Sequence, residues 1–202
     1  MKKMILVTSP PASGKTYISI ALAKKLKHVV YLDKDSLIVL SKQIFAVANQ
    51  EYNRSSDFFE KNIRNFEYEA IVALGLDALN YDDIVLISAP FTREIRSPKY
   101  MDELRGKLAK QNAHLYIVWV VTKPEVVHQR MVERNSDRDS WKLANWEEYS
   151  KGINYTIPDT IEDKHGKHSL LLFYNSDEAE FDASMKKIIP ELESKSCLNI
   201  NW

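Results

Sequence analysis

A lysine, a threonine and two closely spaced aspartates carry the chemistry that this sequence offers. Lys15 and Thr16 close the stretch Ser9-Pro10-Pro11-Ala12-Ser13-Gly14-Lys15-Thr16, and Asp33 and Asp35 follow about twenty residues later in Tyr31-Leu32-Asp33-Lys34-Asp35. An ammonium group there suits the β- and γ-phosphates of a nucleotide, and the neighbouring hydroxyl is a hard ligand that suits Mg²⁺. Gly14 permits a backbone approach that a side chain would obstruct, so the amides of Ala12, Ser13, Gly14, Lys15, Thr16 and Tyr17 can converge on an anion. Two carboxylates one residue apart can divide the remaining work of phosphoryl transfer. Asp33 would face a Mg²⁺-bound water, and Asp35 would face an acceptor hydroxyl as orienting group or general base.

These groups act only if the chain brings them together. The apolar run Met4-Ile5-Leu6-Val7 predicts a buried strand, and Ile18, Ala21, Leu22 and Leu26 recur at helical spacing beyond the loop. Strand, tight loop and helix N-terminus in that order point free N–H groups at an anion. Pro10 and Pro11 cannot donate hydrogen bonds, so they stiffen the loop and leave the cradle to the later amides. Residues 29–32 predict a second strand that ends at the two carboxylates.

From residue 36 to about 80 the pattern is helical in pieces, and two helices joined by the polar stretch 53–57 fit it, with Ser56 or Asp57 as a cap. Continuous apolar runs at 84–87, 115–121 and 170–174 have the character of parallel strands. A helix is expected from Glu125, and another from Glu178 to about 194. Residues 135–140 form a polar break that predicts a mobile lid. After it, Leu143, Trp146 and Tyr149 recur at a spacing that predicts packing against the sheet. Strands alternating with helices imply βαβ units and a mostly parallel sheet covered on both faces. Ligands of such sheets bind beyond the carboxyl ends of the strands, where residues 9–16, Asp33, Asp35, residues 88–93, Lys123 and Asn175 fall.

Composition sets outer bounds. A chain of 202 residues with 45% hydrophobic content buries a real core and fits one domain over 1–202. Lys plus Arg equals Asp plus Glu at 28 each, so no global field favours nucleic acid or an acidic membrane. Cys197 is the one cysteine, which excludes an internal disulfide and predicts a reducing, cytoplasmic setting. No apolar stretch is long enough to span a bilayer, and a monomer or homodimer is expected. His165 and His168 with Asp163 match no closed zinc spacing and predict a solvated loop.

Taken in order, S-P-P-A-S-G-K-T, Y-L-D-K-D, L-I-S-A-P-F-T-R-E and R-M-V-E-R-N-S-D-R-D resemble the small P-loop kinases grouped with shikimate and gluconate kinases. They are also similar to the kinase half of phage polynucleotide kinase, to chloramphenicol phosphotransferase and to zeta-toxin-type kinases. The resemblance runs from residue 1 to about 190. It implies a three-layer α/β/α P-loop fold with a five-stranded, mostly parallel sheet, an acceptor-side helical region over 36–80 and a helical lid over about 134–150. It also implies ATP and Mg²⁺ as cofactors and transfer of the γ-phosphate to a hydroxyl of a small-molecule or nucleotide-like acceptor.

Lys15 and Thr16 match the phosphate and magnesium positions, and Asp35 matches the acceptor-hydroxyl carboxylate. Arg134 and Arg138 match lid positions that close over phosphates, where a planar guanidinium contacts two oxygens at once. Asn175 resembles a position near the adenine. Arg93, after the third strand, and Arg64, with Arg54 and Tyr68 in the helical region, are candidate walls of an acceptor pocket. Ser9 and Ser88 depart from the pattern, standing where it has a glycine and where many P-loop proteins have a carboxylate. Those departures keep open an ATP-binding regulatory module with weak or no catalysis. A nucleic-acid 5′-hydroxyl kinase is a third possibility, disfavoured by the neutral charge balance.

Overall fold

The computed structural model describes residues 1–135, 139–162 and 169–194. Five strands, β1 (Lys2–Thr8), β2 (Val29–Asp33), β3 (Ile84–Ser88), β4 (Ala113–Val121) and β5 (Leu170–Tyr174), form one sheet in the order β2-β3-β1-β4-β5. Every pairing is parallel, as short apolar runs separated by helical crossovers require. The register aligns the carboxyl ends: Val7 lies beside Ser88, Ser88 beside Asp33, and Thr8 beside Trp119. One edge of the sheet therefore collects the loop after β1, the carboxylates after β2 and the turn after β3.

Period-two alternation along β1 sends its side chains to two cores. Ile5 and Val7 pack with Ile18 and Leu22 of α1 (Lys15–Lys25) and Ile188 and Leu192 of α9 (Glu178–Glu193). Met4 and Leu6 face the opposite side, with Ile71 of α4 (Arg64–Ala78) and Met101 and Leu104 of α5 (Pro98–Ala109). The result is the expected three-layer α/β/α arrangement around a five-stranded parallel sheet.

The region 36–80 holds three helices rather than two: α2 (Ile38–Val47), α3 (Asp57–Asn62) and α4. Ser56 caps α3 by accepting a hydrogen bond from the Phe59 amide. The chain breaks at Ile63 (φ −128°, ψ −48°), a residue buried with Phe45 and Phe59 in a small cluster of its own. That packing holds the bend where helical spacing alone predicts continuity. Helix α5, for which the sequence reading made no provision, starts where Ser97 accepts from the Tyr100 amide and Pro98 takes the first helical position.

Beyond β4 come α6 (Pro124–Arg134), α7 (Ser140–Ala144) and α8 (Trp146–Gly152). The expected packing of Trp146 and Tyr149 against the sheet is not what the structure has. No residue of α8 is buried, and Trp146 lies against His128 of α6, with ring centroids 4.4 Å apart. Helices this short present too little apolar surface to seat on the sheet, so the aromatic pair leans on the neighbouring helix. Arg138, His165, His168 and Cys197 lie outside the described residues.

Candidate functional site

The loop between β1 and α1 is braced from two other strand ends. Ser13 Oγ donates to the Pro10 carbonyl at 3.0 Å, while the Ser13 carbonyl accepts from Thr122 Oγ1 at 3.0 Å and Asn175 Nδ2 at 2.9 Å. Thr122 follows β4 and Asn175 follows β5. In a trans peptide the Gly14 N–H points opposite to the Ser13 C=O, so a carbonyl held inward turns that amide toward the opening. Gly14 itself has φ +85° and caps α1. A Cβ there would lie 2.4 Å from Asn175 Nδ2, so the site admits glycine on both conformational and steric grounds. Ser9, at the missing-glycine position, is not among the residues with positive φ, whereas Ala12 is, at φ +61°. The left-handed positions of this loop are Ala12 and Gly14, which explains why a serine fits at position 9.

The loop floors a cavity of about 690 Å³, reached by Lys15, Thr16 and Tyr17 from α1. One wall is cationic and comes from α6 and α7. Arg134 Nε and Nη2 both donate to Asp139 Oδ2, the former at 2.9 Å, and Lys142 Nζ lies 3.2 Å from Asp139 Oδ1. Asp139 is fully buried. Burial pushes its carboxyl up, and the bonds from Arg134 and Lys142 more than reverse this, holding it below the usual carboxylate range. Arg130, one helical turn before Arg134, donates through Nη2 to the Asn175 carbonyl at 2.8 Å. Its Nη1 is buried without a partner among the described residues and would stand 3.4 Å from a Cβ at Gly14. An unsatisfied guanidinium N–H beside a helix N-terminus is a donor arranged for an anion.

The opposite wall carries Asp35, whereas Asp33, the other predicted carboxylate, is not among the residues that line the cavity. Asp33 Oδ1 accepts from the Asp35 amide at 2.9 Å and Oδ2 from the Tyr31 hydroxyl at 3.0 Å. Burial, then the charge of Asp33, pushes the Tyr31 phenol up to about 12. The Asp35 side chain is 59% exposed, lines the cavity and lies 3.7 Å from Lys34 Nζ. Lys34 and Arg54 complete this wall.

The structure brings Ala12, Gly14, Lys15, Thr16, Tyr17, Asp35 and Arg134 to one cavity. Ser13 sits beneath it, with its carbonyl held by Asn175, whose side-chain amide is thereby committed to the loop. Arg64 is buried elsewhere, bonded to Glu94 at 2.8 Å and stacked on Tyr68 at 4.5 Å. Arg93 pairs with Glu60 at 2.6 Å on the surface and lines a neighbouring cavity of about 560 Å³ with Arg96 and Tyr149. Pro10 and Pro11 line both cavities, so the two adjoin across the loop. Among the described residues no three His, Cys, Asp or Glu side chains gather as a metal site. A cation held by few protein ligands is the Mg²⁺ case, and the hard donor of the loop is the Thr16 hydroxyl, while the Asp33 carboxylate already accepts two hydrogen bonds outside the cavity lining. The unpartnered Arg130 Nη1 and the glycine-only cradle fit a nucleotide's phosphates.

Four residues of this arrangement escape sequence reading: Thr122, Arg130, Lys142 and Glu67, the last described below. For Arg130 a signal exists, since its i,i+4 spacing to Arg134 puts both guanidinium groups on one helix face.

Residues 3–151 match the family described as chromatin associated protein KTI12. The chain belongs to the KTI12 family. No curated protein matches this KTI12-family chain. Among solved structures, a protein from Chloroflexus aurantiacus described as a candidate kinase superposes with a TM-score of 0.63 at 18% identity, covering 95% of this chain and 96% of that one. A sugar kinase from Janibacter gives 0.54 at 13% identity over 96% and 99% of the two chains. A gluconokinase from Sinorhizobium meliloti gives 0.51 at 17% over 94% and 95%. At such identities the likeness is one of fold: this member of the KTI12 family has the fold of the small P-loop kinases, as its motifs led one to expect. Among the described residues no helix is long and apolar enough to cross a membrane.

Proposed function

We propose that the chain is an ATP-dependent phosphotransferase that moves the γ-phosphate of ATP to a hydroxyl of a small-molecule acceptor. One observation carries the proposal: a single cavity joins Lys15, Thr16 and Arg130 at its phosphate end to Asp35 at the other. The triphosphate would lie on the amides of residues 12–17, with Lys15 and Arg130 on its charge and the lid arginines Arg134 and Arg138 over it. Asp35 would accept the acceptor's proton as its oxygen attacks the γ-phosphorus and the bond to the ADP oxygen breaks. Mg²⁺ would be held by Thr16, the phosphates and, through water, Asp33, and supplies charge neutralisation when bound. The adjoining cavity beside Arg93 is the natural place for the acceptor's body, because it meets the first across Pro10 and Pro11.

Release of ADP from Mg·ATP across a panel of sugars, amino acids, nucleosides and a 5′-hydroxyl oligonucleotide tests the proposal. Acceptor-dependent ADP release is expected. Saturable ATP binding with no stimulation would instead support an ATP-binding regulatory module. That second reading draws on Ser88, a buried hydroxyl beside Asp33 where a carboxylate is common, and on the chromatin association in the family's description. Stimulation by the oligonucleotide with strong salt dependence would identify a nucleic-acid acceptor.

A further inference from the structure

Glu67 has no part in the proposed transfer, yet its carboxylate ties the acceptor wall together. Its side chain is 4% exposed. Oε2 accepts from Lys34 Nζ and Arg54 Nη2, each at 2.8 Å, and Oε1 accepts from Arg54 Nη1 at 2.8 Å and Ser41 Oγ at 2.5 Å. The donors arrive from the turn after β2, from α2 and from the loop before α3, while Glu67 stands on α4. Burial pushes this carboxyl up, and the bonds from Arg54, Lys34 and Ser41 more than reverse it, so Glu67 sits below the usual carboxylate range and remains ionised.

The consequence concerns Lys34. Its side chain is 4% exposed, and among the described residues two carboxylates lie within 4.0 Å of Nζ: Glu67 at 2.8 Å and Asp35 at 3.7 Å. A buried ammonium requires a carboxylate or other acceptor, because leaving it unpaired is strongly unfavourable. While Glu67 holds the lysine at 2.8 Å, Asp35 keeps the longer contact of 3.7 Å and lines the cavity. Without that charge, Lys34 has one carboxylate left. A charge-assisted bond of about 2.8 Å to Asp35 needs a movement of roughly 1 Å, well within reach of a flexible four-carbon stem.

We propose that Glu67 is a positioning residue that draws Lys34 away from Asp35 and so keeps the acceptor carboxylate available. This rests on the role assigned to Asp35 above, and it goes beyond that role by naming the buried charge that protects it. Removing Glu67's charge would leave Lys34 with Asp35 as its remaining carboxylate, and would also release Arg54, which donates to both Glu67 oxygens and lines the same cavity.

The test compares the full chain with Glu67→Gln, Glu67→Asp and the double variant Lys34→Met/Glu67→Gln. Two readouts are taken, Mg·ATP hydrolysis with water as the acceptor and crystal structures. Glu67→Gln should lower kcat about tenfold or more, on the scale of a compromised general base, with KM for ATP within about twofold of wild type. Glu67→Asp should recover most of kcat, and the double variant should recover at least half of the logarithmic loss, because the displaced ammonium is gone. In crystals of Glu67→Gln, Lys34 Nζ should lie within about 3 Å of Asp35. Unchanged kcat in Glu67→Gln overturns the proposal, as do equal losses in the single and double variants or a Lys34 that stays clear of Asp35. If Glu67→Gln does not fold, the double variant decides, and a tenfold loss there counts against the proposal. If wild type shows no hydrolysis with water, the crystallographic comparison alone decides, and a Lys34 that stays clear of Asp35 in Glu67→Gln overturns the proposal; the phosphotransferase reading is judged separately by acceptor-dependent ADP release.

Discussion

The two walls of the central cavity are built on opposite principles. On the phosphate side, Arg130 Nη1 and the Ser9 hydroxyl line or adjoin the loop and are buried without a partner among the described residues. On the acceptor side, Lys34, Arg54 and Ser41 are all bonded to Glu67, and both oxygens of Asp33 accept hydrogen bonds. An unsatisfied buried donor costs about 1–3 kcal/mol, a cost relieved when an anion arrives. The phosphate side is therefore arranged to gain from a ligand, whereas the buried groups of the acceptor side are already satisfied, and Asp35 is left exposed to the cavity.

Substitutions can break that contrast. The largest effect belongs to Gly14→Ala, which demands φ +85° of a residue with a Cβ and drives that Cβ into Asn175. Calorimetry should show Mg·ATP affinity reduced at least about 100-fold, since both the strain and the displaced loop act on the same amides. Next is Asp35→Asn, expected to lower acceptor phosphorylation by about 10²–10⁴-fold while leaving Mg·ATP affinity unchanged, as separate titration and turnover assays would show. Arg130→Met removes the waiting donor and should weaken ATP binding by about tenfold, on the scale of a hydrogen bond to a charged group.

Acid stability offers a finer test. The folded-state pKa of Glu67 is depressed, so its contribution is present above the unfolded value near about 4.3 and is lost as pH falls through the folded value. Denaturation midpoints should drop between about pH 5 and 3 in wild type, and less steeply in Glu67→Gln. The smallest effect is reserved for Arg93→Ala. Its ion pair with Glu60 is solvent-exposed, and stability should change by no more than about 0.5 kcal/mol. Any loss confined to KM for the acceptor would then locate the acceptor's body beside Arg93.

How much of this was legible beforehand differs by residue. Apolar runs bounded by turn residues marked all five strands: the central β1, β3 and β4 are buried on both faces and leave no polar face to obscure the signal, while the edge strands β2 and β5 are marked by their β-branched, aliphatic and aromatic runs. Helix α5 was equally marked, by Ser97, Pro98 and the spacing of Met101, Leu104 and Leu108, but that signal was not used. The bend at Ile63 depends on a cluster with Phe45, which no local pattern encodes. Within the site, Gly14, Lys15 and Thr16 were readable because contiguous sequence fixes their geometry, and Asp35 because it follows a strand whose carboxyl end the parallel sheet brings to the same side. Arg64 and Arg54 were not distinguishable by type or region. Helical rotation sends Arg64 to Glu94, whereas Arg54 reaches Glu67 and the cavity wall. Long-range pairing of that kind, like the bond from Asn175 to the loop, appears only once the strand order is known.

A crystal structure with Mg²⁺ and a non-hydrolysable ATP analogue tests the central claim most directly. The account predicts the β- and γ-phosphates on the amides of residues 12–17, Arg130 Nη1 within hydrogen-bond distance of a phosphate oxygen, and the γ-phosphate facing Asp35 across the cavity. A triphosphate bound away from that loop, or a γ-phosphate turned from Asp35 with Arg130 Nη1 still unpartnered, would contradict it.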